Sequence, residues 1–243
     1  ADEYTGNVLV LLNNGRGGLR QAGTYGAGER PTHVTAGDLN GDEVIDLICV
    51  NEQGNSLSLF EGTGKGSFGR ERTVQVEPHP FAAATGDLDG DRSLDIAVAC
   101  YGASKVLVLF GNGKGAFPRR AAYAVRWPTF VISVDIDGDA HLDLAAAGYG
   151  ARAVTLLRNQ GDGSFEAKGA LDVGAPPYTL LAPDLNGDGR PDIVTANTMA
   201  GTLCAFLNSG GGSFSNRYMY PVGMDPRFAV AGELLHLFLL TAT

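Results

Sequence analysis

The stretch GDLNGDEVIDLI at 37–48 places three aspartates and one asparagine within the nine residues of a glycine-containing turn. It returns three times, as GDLDGDRSLDIA at 86–97, VDIDGDAHLDLA at 134–145 and PDLNGDGRPDIV at 183–194. The first aspartates of the four copies are 49, 48 and 49 residues apart. A period in this range predicts a repeat protein in which each unit is one supersecondary element.

Two further markers keep the same period. A glycine-rich element that ends in an apolar residue occurs five times, ending at Leu19, Phe68, Phe117, Phe165 and Phe214. A proline stands seven residues before each first aspartate, at Pro31, Pro80, Pro128 and Pro177. Pro226 extends that series and places Glu233 among leucines, where a fifth first aspartate would stand. We therefore expect the fifth loop to bind no cation.

Each unit has the pattern of four short strands. In the first complete unit these lie at about 33–36, 46–50, 56–60 and 66–76, separated by turns rich in Gly, Asn and Asp. Apolar runs such as LICV and IAVAC are nearly continuous, which is typical of strands that are buried on both faces. No segment has a sustained helical period. Four-stranded units at this period predict an all-β fold, a β-propeller in which each unit is a blade.

The repeat phase predicts how the ring closes. The 243 residues hold five units, cut in the middle of one, and form a single domain over 1–243. The degenerate fifth unit consists of 226–243 plus 1–25, so that N-terminal and C-terminal strands share one blade. We expect a propeller of five four-stranded blades, and the main alternative is a fragment of a larger ring.

The four acidic loops, at 38–46, 87–95, 135–143 and 184–192, have the form D-x-[D/N]-G-D-x-x-x-D. Side-chain oxygens at positions 1, 3 and 5 of a tight turn converge, and the carbonyl at position 7 and the aspartate at position 9 can complete a shell of about 6–8 oxygens. Because no His or Cys joins them, zinc and copper are disfavoured, and the many flexible carboxylates favour Ca²⁺ over Mg²⁺. The candidate ligands are Asp38, Asn40, Asp42, Asp46, Asp87, Asp89, Asp91, Asp95, Asp135, Asp137, Asp139, Asp143, Asp184, Asn186, Asp188 and Asp192.

The alternative for these loops is a purely structural role in which Asp and Asn side chains hydrogen-bond to their own turns. That role explains one or two carboxylates per turn. It does not explain four converging oxygen side chains in each of four copies, whose repulsion is costly without a cation. We therefore predict about four calcium sites.

The loops, the 49-residue period and the glycine-rich hairpin before a Phe resemble FG-GAP/VCBS-type repeats. These repeats form the blades of integrin α-subunit-like propellers and of many secreted bacterial and fungal proteins. The resemblance covers nearly the whole chain and implies a calcium-stabilised propeller, with each cation in the loop between the first and second strands of a blade. This sequence departs from the family in its count of five units, since seven or eight blades are usual, and in a fifth unit without the motif.

Charge and apolar content exclude several classes of partner. With 27 Asp plus Glu against 18 Lys plus Arg, the net charge of −9 argues against nucleic acids and anionic membrane surfaces. The longest apolar candidate, 234–240, is interrupted by His236 and is too short to cross a membrane. The three cysteines, Cys49, Cys100 and Cys204, have the pattern of small buried residues rather than of a disulfide framework.

The expected location is secreted, extracellular or periplasmic, because millimolar calcium is most readily met outside cells. The first three residues lack the features of a signal peptide, so we expect any such segment to be absent from this sequence.

The repeats differ most in the turns that strand direction places opposite the acidic loops. Aromatic rings beside Arg in these turns suit sugars or acidic glycans, although some of the rings could simply pack between blades. The candidate ligand-binding residues are His79, Phe81, Tyr101, Arg126, Trp127, Tyr149, Arg152, Tyr178 and Arg227.

Three functions remain open. The first is a non-catalytic binding module whose partner is a glycan or an extracellular protein. The second is a polysaccharide lyase that acts on uronate-containing glycans, with His79, Tyr101 or Tyr149 as base and Arg126 or Arg152 on the carboxylate. The third is a purely structural scaffold. No local signature requires catalysis, so no catalytic residue is assigned; we expect His33 and His236 to be structural and His141 to face solvent.

Overall fold

The computed structural model describes residues 1–231 and 239–242, so the loop around Glu233 lies outside the described residues. The strands of the described ranges are β1 (Asn7–Asn13), β2 (Leu19–Gly26), β3 (Pro31–Gly37), β4 (Asp46–Asn51), β5 (Ser56–Gly64), β6 (Ser67–Gln75), β7 (Pro80–Gly86), β8 (Asp95–Cys100), β9 (Lys105–Phe110), β10 (Arg119–Ala124), β11 (Pro128–Val134), β12 (Asp143–Gly148), β13 (Ala153–Asn159), β14 (Phe165–Asp172), β15 (Pro177–Leu181), β16 (Ile193–Asn197), β17 (Thr202–Gly210), β18 (Ser213–Pro221), β19 (Pro226–Val230) and β20 (Leu239–Ala242).

The described part of the chain is all-β, as predicted. Its one helical element is a 3-10 turn at Thr198–Ala200. None of its helices has the length and apolar character needed to cross a membrane.

The strands pair antiparallel with their neighbours in the chain. Four sheets have four strands each, in the orders β3-β4-β5-β6, β7-β8-β9-β10, β11-β12-β13-β14 and β15-β16-β17-β18. Over residues 1–231 and 239–242, β1-β2 and β19-β20 form separate two-stranded sheets. The predicted four-stranded units are therefore confirmed, whereas five closed blades are not.

The second and third strands of each unit form the core. Strands β4, β8, β12 and β16 are buried almost throughout, because the sheet packs against a neighbouring sheet on each face. The outer strands β6, β10 and β14 are mostly exposed. Apolar clusters lie between consecutive sheets, with Phe60 and Phe110 among the largest fully buried side chains. The near-continuous apolar runs of the sequence are the strands that pack on both sides.

Strand direction places the connecting turns at two opposite ends of the sheets. At one end, the acidic loop of one unit meets the glycine-rich hairpin of the next, where the Gly115 amide donates to the Leu39 carbonyl at 2.9 Å. At the other end, the turn before the repeated proline meets the turn between the second and third strands. There the Tyr101 amide donates to His79 and the Tyr149 amide to Trp127, at 2.9 and 3.0 Å.

Candidate metal centre and ligand-binding face

The aspartate at position 9 of each acidic loop is buried and accepts hydrogen bonds from two separate backbone segments; we call such a residue a staple. Asp95 is fully buried, and its Oδ2 accepts the Leu88 amide at 2.7 Å while its Oδ1 accepts the Gly111 amide at 2.7 Å. The first bond closes the loop and the second fixes the glycine-rich hairpin of the same unit. The same two bonds recur at the other three position-9 aspartates, Asp46, Asp143 and Asp192.

The aspartate at position 1 shapes the turn. Asp87 accepts the Gly90 amide at 2.8 Å through Oδ1 and the Arg92 amide at 2.9 Å through Oδ2. Arg92 has a φ of 69°, and the position-6 residues of the other loops are likewise left-handed. These bonds are the Asx-type interactions of the purely structural alternative, so the sequence motif serves the turn as well as any cation.

Two of the four loops bring three carboxylates together. In the second loop, one oxygen each of Asp87, Asp89 and Asp95 lies within 4.8 Å of the other two. In the third loop, Asp135, Asp137 and Asp143 converge in the same way. These two triads have the donor chemistry and the spacing to hold a metal ion. The first and fourth loops have Asn40 and Asn186 at position 3, so each brings one carboxylate fewer.

Burial and neighbouring carboxylates disfavour the charged form of the position-9 aspartate in both triads. Burial raises the pKa of Asp95 to about 6, against the lowering effect of its two amide hydrogen bonds, and the charges of Asp89 and Asp91 raise it further. Burial also raises the pKa of Asp143, with a further contribution from Asp137. A divalent ion among these oxygens would offset both the burial and the repulsion.

Arginine side chains form ion pairs with carboxylates of three acidic loops. Arg158 places Nε 2.5 Å from Asp137 Oδ2 and Nη2 3.3 Å from Asp139 Oδ2. Arg119 forms an ion pair with Asp89, and Arg190 forms one with Asp188 at 2.9 Å. A cavity of about 210 Å³ adjoins the third triad and Arg158. These arginines were not predicted from the sequence, because Arg119 and Arg158 reach the loops from later strands of the same unit and no local motif marks them.

The opposite face is built on a repeated left-handed residue. Five residues precede the repeated prolines, and four of them, Arg30, His79, Trp127 and Asp225, have φ values of 53°, 50°, 49° and 53°. The fifth, Pro176, does not have a positive φ. Non-glycine residues adopt this conformation rarely, and pre-proline residues favour extended backbone. The scaffold therefore holds four different side chains in one position and one backbone state, as the sequence comparison of the repeats predicted for this face.

Four of the predicted ligand residues lie together. The Phe81 and Tyr101 ring centroids are 5.2 Å apart, and Tyr101 lies 6.0 Å from Trp127 at an interplanar angle of 29°. Tyr149 lies 6.4 Å from Tyr101. Arg126 places its guanidinium carbon 5.3 Å from the Trp127 ring. We call Phe81, Tyr101, Trp127 and Tyr149 the Trp127 cluster.

Two other predicted residues form a separate cluster. Arg227 places its guanidinium carbon 5.5 Å from the Tyr178 ring, and Tyr178 lies 6.4 Å from Phe228. Arg227 is also bound to Asp225, 3.1 Å away. We call Tyr178, Arg227 and Phe228 the Tyr178 cluster. Arg152 is exposed in the turn that follows Tyr149.

His79 belongs to a charge network around one buried carboxylate, which the sequence did not reveal. Glu52 is 5% exposed, and its two oxygens lie 2.7 Å from His79 Nδ1 and 2.8 Å from Arg30 Nη1. The network links two consecutive units, and it leaves the His79 ring half-exposed with Nδ1 occupied. A buried carboxylate that orients an imidazole is an arrangement used in acid-base chemistry.

The remaining histidines and the cysteines are placed as expected where the structure describes them. His33 packs edge-on against Phe130 at 5.4 Å, and burial lowers its pKa to about 4, so it is a neutral structural residue. His141 is exposed, and His236 lies outside the described residues. All three cysteines are buried free thiols.

Solved structures share this architecture at low sequence identity. A proposed 6-phosphogluconolactonase from Bacteroides uniformis matches 98% of this chain and 71% of its own, with a TM-score of 0.75 and 16% identity. A second proposed 6-phosphogluconolactonase, from Bacteroides fragilis, matches 96% of this chain and 69% of its own, with a TM-score of 0.71 and 14% identity. The V. cholerae biofilm matrix protein Bap1 matches 93% of this chain but 41% of its own, with a TM-score of 0.56 and 15% identity. Identities this low show the fold alone.

No curated protein matches the sequence. Family models do match it: one described as an FG-GAP-like repeat covers 38–98 and 87–146, and one described as an FG-GAP repeat covers 176–214. Together these segments span more than half of the 243 residues and contain all four acidic loops. The chain belongs to the FG-GAP-repeat proteins of β-propeller type.

Proposed function

We propose that this protein is a calcium-binding propeller that acts outside the cytoplasm as a non-catalytic binding module for glycans or extracellular proteins. The observation that carries the calcium assignment is the convergence of Asp87, Asp89 and Asp95, repeated by Asp135, Asp137 and Asp143. Three buried or half-buried carboxylate oxygens within 4.8 Å of one another suit a hard cation with oxygen ligands.

We extend the calcium assignment to all four loops on the shared backbone geometry. In the first loop, Asp38 accepts the Gly41 amide at 2.7 Å and the Glu43 amide at 2.8 Å, the bonds that Asp87 makes in the second loop. Ca²⁺ also binds side-chain amide oxygens, such as those of Asn40 and Asn186 at position 3. The two loops with Asn at position 3 therefore keep the ligand geometry with one negative charge fewer, and we expect them to bind more weakly.

The arginine on the third loop predicts a measurable competition. Because Arg158 lies on Asp137 and Asp139, calcium must displace its guanidinium, so Arg158→Ala should tighten one site by about two- to fivefold. Isothermal titration calorimetry measures this change. Arg120→Ala is the matched control, since Arg120 donates to the Gln75 carbonyl and contacts none of the loops. An unchanged or weaker site in Arg158→Ala would show that the arginine does not compete.

We further propose that β1-β2 and β19-β20 are two halves of one blade. Leu11 on β1 is 47% exposed, whereas Phe60, Leu109 and Leu157, at the same repeat position, are buried. That exposed face of β1 corresponds to the face that each complete blade packs on the unit before it.

Ring closure can be tested by comparing two truncations. If β1 packs in a closed fifth blade, Leu11→Ala should cost about 2 kcal/mol or more in unfolding free energy, as Leu109→Ala should. If the ring is open, Leu11→Ala should cost less than about 0.5 kcal/mol while Leu109→Ala remains costly. Urea denaturation of both variants decides between a closed and an open ring.

The binding role is supported by the contrast between the two ends of the sheets. The acidic loops repeat nearly unchanged, whereas the left-handed position before the proline holds Arg30, His79, Trp127 and Asp225. A rigid scaffold with variable turns is the usual way in which repeat folds acquire ligands. An extracellular location is compatible with the fold, since one structural neighbour is named as a biofilm matrix protein.

A polysaccharide lyase is the second candidate, and the His79–Glu52 pair favours it. With Nδ1 bound by Glu52, the other ring nitrogen of His79 could take the proton beside a uronate carboxylate. The glycosidic oxygen on the next carbon would leave with its bonding pair, and a carbon–carbon double bond would form. Unsaturated uronate absorbs ultraviolet light, so absorbance separates the lyase from the binding module.

A further inference from the structure

The two aromatic clusters opposite the acidic loops differ in the state of the arginine beside them. In the Tyr178 cluster, Nε and Nη2 of Arg227 both donate to Asp225 Oδ2 at 3.1 Å. Its positive charge is therefore neutralised within the protein. Beside the Trp127 cluster, Arg126 has no carboxylate within ion-pair distance among residues 1–231 and 239–242. The two sites share their ring chemistry but differ in net charge.

The Trp127 ring is placed by the backbone around it. Trp127 has a φ of 49° and its side chain is held over Gly150, where an added Cβ would lie 2.6 Å from the ring carbon Cε3. The same Cβ would lie 3.0 Å from Arg126 Cγ. A side chain at position 150 would displace both residues. Glycine at this position therefore leaves the space that the Trp127 and Arg126 side chains occupy. Despite these contacts Trp127 is 42% exposed.

We propose that the Trp127 cluster binds a carboxylated pyranose of an acidic glycan, with the sugar ring against the Trp127 and Tyr101 rings and its carboxylate on Arg126. Aromatic faces pack well against the C–H faces of sugars, and a planar guanidinium pairs with a carboxylate through two parallel hydrogen bonds. This inference rests on the proposed function as a glycan-binding module and adds the site and the ligand class.

The neighbouring turn supplies a polar edge for the same ligand. Tyr101 begins the turn between β8 and β9 and donates its amide to the His79 carbonyl, and Glu52 holds the His79 imidazole in one orientation. A fixed nitrogen beside an aromatic platform is suited to a sugar hydroxyl. The positive charge of Arg30 is already paired with two carboxylates, those of Glu52 and Glu3, so Arg126 is the anion-recognising group of this site.

The test uses one polymer in charged and uncharged forms. Polygalacturonate and its fully methyl-esterified form have the same backbone and differ at the carboxylate. Because polygalacturonate also binds calcium, the free calcium concentration is kept equal in the two titrations. Binding to the calcium-loaded protein is measured by calorimetry, with absorbance followed in the same samples. We expect wild-type protein to prefer the charged form, and the preference to shrink as salt rises.

Variants inside each cluster locate the site. We expect Trp127→Ala to weaken binding of both polymers by about tenfold, and Arg126→Ala to weaken binding of polygalacturonate only. Tyr178→Ala and Arg227→Ala test the other cluster.

The matched controls lie outside both clusters. Tyr218→Ala removes an exposed ring on β18, and Arg120→Ala removes a guanidinium that donates to the Gln75 carbonyl. Both should bind like wild type. Thermal melts of all variants check folding, and Trp127→Phe, which retains a ring, replaces Trp127→Ala if the alanine variant is unstable and should keep most of the affinity.

The outcomes separate this inference from the proposed function. If wild-type protein binds a polymer and the Trp127 and Arg126 variants bind equally well, the assignment of the site is overturned while the binding module stands. If the Tyr178 and Arg227 variants lose binding instead, the ligand belongs to the other cluster. If neither polymer binds, the acidic-glycan class is overturned, and a wider glycan array then tests the binding module. New absorbance would identify the lyase.

Discussion

Removal of calcium with excess chelator is expected to lower the melting temperature by about 10 °C or more. A ligand present at about 100 times its dissociation constant stabilises the folded state by about 2.7 kcal/mol per site. For a chain of this size each kcal/mol corresponds to about 2–4 °C. One saturated site therefore accounts for about 5–10 °C, and the expected effect grows with each further loop that binds.

The chelation experiment needs a control for the chelator itself. Calcium added back in excess should restore the melting temperature, whereas equimolar Mg²⁺ should restore less, because these loops offer many oxygens and little space for an ordered water shell. Asp91→Ala, which removes one exposed carboxylate from the second loop, should reduce the shift without abolishing it. A melt that is the same with and without chelator would contradict a structural role for calcium.

The second large effect is expected from the buried staple of the same loop. Asp95→Ala should cost about 3–5 kcal/mol of unfolding free energy, because it leaves the Leu88 and Gly111 amides without their acceptor in a buried site. The measurement is urea denaturation, carried out with chelator so that metal binding does not contribute.

Asp91→Ala is the matched control in chelator, where it should cost less than about 1 kcal/mol of unfolding free energy. Asp91 is exposed and accepts one amide, that of Ser93 at 2.7 Å. If both variants lost the same stability in chelator, the position-9 aspartate would not be a staple. If both were neutral in chelator and costly in calcium, its role would be confined to the metal.

Most of the fold followed from the sequence, since a 49-residue period with continuous apolar runs leaves few alternatives to stacked four-stranded sheets. The acidic motif was also visible. The second role of its position-9 aspartate, as a hydrogen-bond acceptor for the hairpin, was not visible, because the bond from the Gly111 amide to Asp95 joins residues 16 positions apart. The ion pairs between arginines and the acidic loops could not be predicted for a similar reason, because Arg119 contacts Asp89 only after the third and fourth strands have folded back.

The ligand face was only partly predictable. The sequence showed that Trp127 and His79 occupy the same repeat position, but it could not show that Tyr101 reaches Trp127 or that a buried Glu52 holds His79. Those contacts depend on the packing of one unit against the next. Ring closure was predicted from repeat phase, and it stays a prediction because the described strands end in two separate half-sheets.

The acidic composition takes on a specific meaning in this account. Fourteen of the 27 acidic residues are the aspartates of the four loops. Four divalent cations would almost cancel the net charge of −9. The loaded protein would then be nearly neutral, and a local positive group such as Arg126 could select an anionic ligand without a strong opposing field.

The most direct test of the central claim is the number of calcium ions bound per chain, measured by equilibrium dialysis and atomic emission at millimolar calcium. We expect four, and we expect Glu233→Ala to bind four as well, since that position is not one of the candidate ligands. Retention of no calcium by the folded protein would contradict the claim that the repeated acidic loops are calcium sites.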